Sequence, residues 1–243
     1  MNVFEPLTTL AYVAASVDRI RLGLGVLIAP YRHPILAAKM LAMLDVLSGG
    51  RLTVGVGTGW LQEEFEMLGA PPFAHRGGVT DEYVRAFIEL WTEPEVAFTG
   101  TYASVSGVLI YPKPVQKPHP PVWIGGNGVP ALKRAAAYGS GWMPLHQTPD
   151  EMATKVPALH AAINSSGRHI SDVGVALGCR FRFSAERDGE DSLTGTADQI
   201  IDHLRRYEEA GVEEIHLLND GYRTVEELVG AWERFNAEVV SRV

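Results

Sequence analysis

Residues 19–60 read RIRLGLGVLIAPYRHPILAAKMLAMLDVLSGGRLTVGVGTGW, and they hold a strand, a helix and a second strand in that order. Over Ile20–Val26, Leu22, Leu24 and Val26 point one way, with Gly23 and Gly25 between them. That period of two is a strand's. The Ala29-Pro30 break is followed by a helix predicted over Pro34–Leu47, with Leu36, Met40, Met43, Leu44 and Leu47 as its apolar stripe. Ser48-Gly49-Gly50 ends it, because glycine tolerates the left-handed conformation of a helix end. Arg51–Gly57 is the next strand, and GVGTGW at 55–60 is a glycine-rich turn into an acidic helix start, Glu63-Glu64-Phe65.

The same alternation extends outward. Upstream, Glu5-Pro6 opens a helix with Leu7, Leu10, Ala11 and Ala14 on one face. Downstream, a helix is predicted over Val79–Trp91, and residues 92–118 leave the pattern as a surface excursion with a short hairpin. Then come a strand at Val122–Gly125, a helix at Val129–Tyr138, a strand at Gly141–Pro144 and a helix at Pro149–Ser166. Val175, Leu177, Cys179, Phe181 and Phe183 share one face of a strand over 173–183. Gly174, Ala176, Gly178, Arg180 and Arg182 share the other, where the small residues allow a neighbour to approach closely. Ser192–Gly195 reads as a turn, and Thr196 with Gln199 as a capping box for a helix ending at Ala210-Gly211. A strand over Glu214–Leu218 and a helix over Thr224–Val240 close the chain.

Six strands separated mostly by helices mean a parallel sheet with helical cover, in one domain over residues 1–243. A parallel barrel and an open doubly wound sheet both satisfy this reading. A full barrel takes eight strands in about 250 residues.

Composition excludes several classes. The chain has 243 residues, of which 46% are hydrophobic and 21% charged, an ordinary globular balance. With 21 basic and 29 acidic side chains the net charge is −8, against a general nucleic-acid binder. No apolar run is long enough to cross a bilayer, and MNVFEPLTTL carries no secretory pattern, so a cytoplasmic protein is expected. The single cysteine, Cys179, and eight histidines without an HxH or HExxH pair predict no metal site. There is no GxSxG elbow and no Walker motif, and GVGTGW lacks the Rossmann spacing.

Taken in order, residues 5–69 (EPLTTLAYVAAS through EEFEMLG), HRGG with DEY, PKPVQKPHPPVWIGGNG and GSGWMP resemble the luciferase-like family of flavin and deazaflavin enzymes. The resemblance implies a (β/α)₈ TIM barrel with an excursion before a barrel strand, here 92–118, and with the first two strands missing from this sequence. It implies FMN or the deazaflavin F420 as cofactor, a small-molecule substrate and a possible homodimer. The F420-dependent subgroup is the most similar, which predicts hydride transfer to or from a small organic substrate. An FMN-dependent monooxygenase is the alternative, and a non-catalytic truncated member or an unrelated open-sheet binding protein stand beside it. No catalytic acid or base is assigned.

The candidate cofactor residues lie at strand ends. At Gly25-Val26 the family often has a non-prolyl cis peptide that makes a bulge against the isoalloxazine ring. At Thr58, Gly59 and Trp60, glycine lets backbone N–H groups approach a ligand, Thr58 could bond a flavin edge, and Trp60 could cover the cofactor or face substrate. Family members that act on sugars or alcohols through F420 have an acid where Trp60 stands. Gly126, Asn127 and Gly128 offer several N–H groups to a phosphate or carbonyl, and Trp142 packs beside the cofactor tail. A family Asp is replaced by Ser140. His146 and Arg180 could contact an anion, and Arg76 could tether its loop to Glu63, Glu64 or Asp81.

Overall fold

A computed structural model of the chain describes residues 4–219 and 221–243. Two compact units can be distinguished: the chain up to Gly125 with Tyr138–Ser140, and Gly126–Ala137 with Gly141–Val243.

In the first unit, α1 (Pro6–Ser16) begins at Glu5, whose carboxylate accepts the Thr8 N–H. Of the strand expected over Ile20–Val26 only β1 (Leu22–Gly23) forms within those bounds, and β2 (Leu27–Ile28) follows just beyond them. Helix α2 (Pro34–Leu47) has the predicted bounds, and β3 (Leu52–Gly57), α3 (Gln62–Leu68) and α4 (Arg76–Thr92) follow. A hairpin of β4 (Val96–Thr99) and β5 (Ser104–Val108) forms within the 92–118 excursion, before β6 (Val122–Gly125). Strands β1, β2 and β6 all pair with β3, in parallel.

Of the apolar stripe predicted for α2, Leu44 is buried and Met40 half-buried, but the rest is not the buried face. Leu36, Met43 and Leu47 are exposed by 56%, 42% and 60%, while Ala37, Ala38, Leu41, Ala42 and Asp45 are fully buried. The helix is apolar nearly all round, and its small residues win the interior because they permit close approach. The indole N–H of Trp91 on α4 donates to the Ala38 carbonyl at 2.9 Å across that interface.

The second unit carries α5 (Val129–Tyr138), β7 (Gly141–Met143), α6 (Pro149–Ser165) and β8 (Gly174–Phe183). After these come β9 (Ser192–Gly195), α7 (Ala197–Glu209), β10 (Glu214–Asn219) and α8 (Val225–Glu238). Strands β7, β9 and β10 each pair with β8 in parallel. Ser192–Gly195 is thus a strand rather than the expected turn, since it pairs with Arg180–Phe183. The predicted capping box is present: Gln199 N–H donates to Thr196 Oγ1, and Thr196 N–H to Gln199 Oε1. The close neighbour of the small-residue face is Leu145, which bridges to Gly178. A Cβ at Gly178 would lie 2.2 Å from Leu145 Cδ2. Parallel strands at six positions (β1 with β2, β3, β6, β7, β8, β10), alternating with helices, make this a partial (β/α)-barrel fold. No described helix is long and apolar enough to cross a membrane.

Candidate functional site

The register of β1 and β2 on β3 explains the break between them. Gly23 pairs with Thr53 and Leu27 with Val56, so residues 24–26 stand opposite residues 54–55. Three residues against two is a bulge, which re-aims the chain at a sheet edge. The Gly25–Val26 peptide within it is cis. The bulge borders a cleft of about 580 Å³ lined by Gly23–Ile28, the start of α1, Tyr31, Arg32 and Glu64. Its walls are largely apolar, from Leu10, Leu24, Val26, Leu27 and Ile28.

The end of β3 supports the bulge from behind. A Cβ on Gly57 would meet Val26 Cγ2 at 2.4 Å and Ile28 Cδ1 at 3.5 Å. Val26 is short and stiff at χ1, so it has little room to yield. Gly57→Ala is expected to cost about 1–3 kcal/mol, as overpacking of a tight interior does. Chemical denaturation measures it, and a loss below about 0.5 kcal/mol would show that the bulge moves freely. Gly59 holds φ +79°, and a Cβ there would lie 2.8 Å from the Phe65 ring. Thr58 is half-buried, whereas Trp60 is 81% exposed, and neither lines the cleft.

Arg32, paired with Glu5, and Tyr31, paired with Glu64, bring polar groups to the cleft. Arg32 Nη2 donates to Glu5 Oε1 at 2.6 Å. Burial opposes ionisation of Glu5, but hydrogen bonds from Thr8, Leu7 and Arg32 outweigh it and bring its pKa down to about 2. Tyr31 Oη donates to Glu64 Oε2 at 2.5 Å. Burial, reinforced by that carboxylate, pushes the Tyr31 phenol up to about 12. Sequence reasoning missed Tyr31, although its place directly after a strand end was a usable signal. Arg76 packs on its own loop. Its guanidinium donates to the Phe73 carbonyl at 3.1 Å and lies 4.0 Å over the Phe73 ring.

In the second unit, Gly126, Asn127 and Gly128 form an exposed loop before α5. The Asn127 side chain pairs with Leu145: Nδ2 donates to its carbonyl at 2.9 Å, and Oδ1 accepts its N–H at 2.9 Å. That pairing fixes the side chain, and the backbone of the loop is left to meet a ligand. Among the described residues the N–H groups of Asn127 and Gly128 meet no acceptor, at the positive end of α5. Trp142 is fully buried, and its indole N–H donates to the Gly126 carbonyl at 2.9 Å, which fixes the loop from within.

His146 is the one non-glycine described at positive φ, +51°, with its N–H on the Gly178 carbonyl at 2.9 Å. Arg180 faces Asp191 at 3.6 Å. In the first unit, Ser140 is tied to β6: its N–H donates to the Val122 carbonyl at 2.7 Å, and its Oγ accepts the Val122 N–H at 3.3 Å.

Comparison with known proteins agrees with this geometry. An uncharacterised protein of Mycobacterium tuberculosis is 32% identical over 217 residues, covering 88% of this chain and 69% of that protein. The FMNH(2)-dependent dimethylsulfone monooxygenase of Pseudomonas putida is 28% identical over 202 residues, covering 82% of this chain and 54% of its own length. An F420-dependent glucose-6-phosphate dehydrogenase of Microbacterium testaceum is 31% identical over 183 residues, 74% of this chain and 54% of that protein. The crystal structure of the monooxygenase RslO1 from Streptomyces bottropensis shares the fold, with a TM-score of 0.86 at 23% identity over 98% of this chain and 82% of that one. The profile of the luciferase-like monooxygenases matches residues 1–191, and the chain belongs to that family.

Proposed function

We propose that this chain is an F420-dependent oxidoreductase that transfers a hydride to or from a small organic substrate. Family membership makes it an oxidoreductase or monooxygenase in the coarse sense. The observation that carries the finer reading is the Gly25–Val26 bulge bordering an apolar cleft of about 580 Å³. That volume is within the ordinary range of small-molecule sites, about 300–1,000 Å³. A backbone surface without a Cβ at Gly25, with Val26 braced by Gly57, suits one face of a planar ring. The cofactor supplies the hydride chemistry when bound. Thr58, Gly59 and Trp60 are proposed cofactor residues on the resemblance alone. Gly126, Asn127 and Gly128 are proposed for an anionic group through backbone N–H groups, with Trp142 holding their loop. The reading includes a single domain over 1–243, with 92–118 as its excursion. It also includes a homodimer, for which exposed Leu36, Met43 and Leu47 of α2 offer an apolar face.

The F420 reading draws on the Microbacterium relative, and the Pseudomonas relative favours a second, an FMN-dependent monooxygenase. Parallel titration with F420 and FMN, followed by absorbance and fluorescence, decides between them. Tighter binding of F420 is expected. Tighter binding of FMN would select the second reading, and binding of neither would end both.

A further inference from the structure

We propose that Tyr31 is the proton-exchanging residue of this cleft, with Glu64 as the carboxylate that orients it and receives the proton. The inference rests on the hydride-transfer reading above and deepens it, because it assigns an acid–base pair where none had been assigned.

Four polar side chains line the cleft: Thr9, Tyr31, Arg32 and Glu64. The Thr9 hydroxyl donates to the Glu5 carbonyl at 2.8 Å, and Arg32 is paired with the Glu5 carboxylate. Arg32 does not exchange its proton in proteins. Tyr31 and Glu64 are then the pair able to move a proton, and the Oη–Oε2 distance of 2.5 Å already joins them. Their positions are built. Tyr31 ends a one-turn helix, Ala29–Tyr31, immediately after β2, and Glu64 stands in the first turn of α3. The buried Phe65 ring meets Tyr31 edge-on at 4.9 Å, which fixes the phenol in the direction of Glu64. The donated bond leaves the Tyr31 oxygen free to accept another.

A phenol that accepts one proton while passing its own to a carboxylate fits an alcohol. A bound cofactor would supply the hydride acceptor; this chain's part would be the proton, with the substrate O–H bond breaking and its proton bonding to Tyr31 Oη. The original Oη–H bond breaks and that proton bonds to Glu64 Oε2, while the substrate becomes a carbonyl. The substrate loses one hydride and one proton, and the cofactor is the oxidant. The raised ionisation of Tyr31 agrees with a relay in which the phenol is never left as a free anion. The pair supplies an acid–base function that the exposed Trp60 side chain lacks.

Two measurements test this. In the cofactor-free protein, ¹³Cζ-tyrosine NMR follows each phenol with pH, and Tyr31→Phe identifies the signal. Its ionisation is expected to move down towards the ordinary tyrosine range in Glu64→Gln; an unchanged titration would overturn the pairing. In the cofactor-loaded protein, stopped-flow hydride transfer is measured with 2-propanol and cyclohexanol. Tyr31→Phe is expected to slow that step about 100-fold while cofactor affinity stays within about twofold. Glu64→Gln is expected to slow it about tenfold and alter its pH profile, with partial rescue in Glu64→Asp. A bound cofactor with no transfer from either alcohol, or a Tyr31→Phe rate within about threefold of the parent, would overturn this inference and leave the cofactor reading standing. A chain that binds neither F420 nor FMN would remove both.

Discussion

Replacing Glu82 with alanine is expected to lower the melting temperature by on the order of 10 °C, the largest effect of any single substitution argued for this chain. Glu82 is only 5% exposed, yet it lies on α4 among residues that face the interior. Its carboxylate is wrapped by the turn of the β4–β5 hairpin. Oε1 accepts the N–H groups of Tyr102 and Ala103, and Oε2 that of Thr101, all at 2.7 Å. Gly100 is required for this embrace, since a Cβ there would lie 2.3 Å from the carboxylate carbon. Hydrogen bonds to a charged acceptor contribute about 1.5–3 kcal/mol each, and partial access of water to the turn offsets some of the loss. A net cost of about 4 kcal/mol follows, with Glu82→Gln near half of it because one acceptor oxygen is kept. Thermal and urea denaturation measure the cost. Amide exchange in the 96–108 hairpin should rise in the variant, because the turn loses its anchor. A change below about 1 kcal/mol would show that the hairpin holds itself.

The Glu82 case also shows which parts of this structure are legible in sequence. Contacts near in the chain leave a periodic trace. The alternation Val175-Leu177-Cys179-Phe181-Phe183 predicts β8, and Thr196 with Gln199 marks the start of α7. Contacts between distant residues leave none. An acid on a helix reads as a solvated surface group, and nothing in the sequence joins Glu82 to N–H groups about twenty residues away. Tyr31 and Glu64 are separated by 33 positions, and Asn127 and Leu145 by 18. The pattern of two at Leu22, Leu24 and Val26 likewise runs on through a bulge that only the pairing with β3 reveals. Of the strand-end glycines, Gly25 lines the cleft, as its place at a strand end leads one to expect. Gly57 reads in the sequence as part of a glycine-rich strand end, but its packing constraint is a distant neighbour's side chain and leaves no local trace. Helix α2 is misread for a related reason: hydrophobicity ranks Leu36 and Met43 above Ala37 and Ala38, whereas packing space ranks them the other way.

The second unit should lose about 3 kcal/mol of stability between pH 6.5 and pH 4, and His203 is the cause. Its ring, on α7, is 1% exposed and stacks on Tyr207 with centroids 4.9 Å apart and planes 2° from parallel. Arg187 Nη2 donates to Nδ1 at 2.7 Å, which requires a lone pair there and hence a neutral imidazole. Burial, then the Arg187 charge, brings the His203 pKa down from 6.5 to about 4; the nearby Glu190 carboxylate opposes the shift and Arg206 adds to it. The sign follows from linkage. Between the two values the unfolded chain binds the proton and the folded chain does not, so stability rises with pH. The full contribution is present above the unfolded value and is lost as pH falls through the window to about 4. Glu5, with its pKa near 2, adds a further loss only below the ordinary carboxylate range. His203→Gln keeps an acceptor for Arg187 but cannot take up the proton, so its unfolding free energy should be nearly flat over the same window. Urea denaturation of both proteins at a series of pH values measures the difference, and equal slopes for parent and variant would show that other groups set the acid limb.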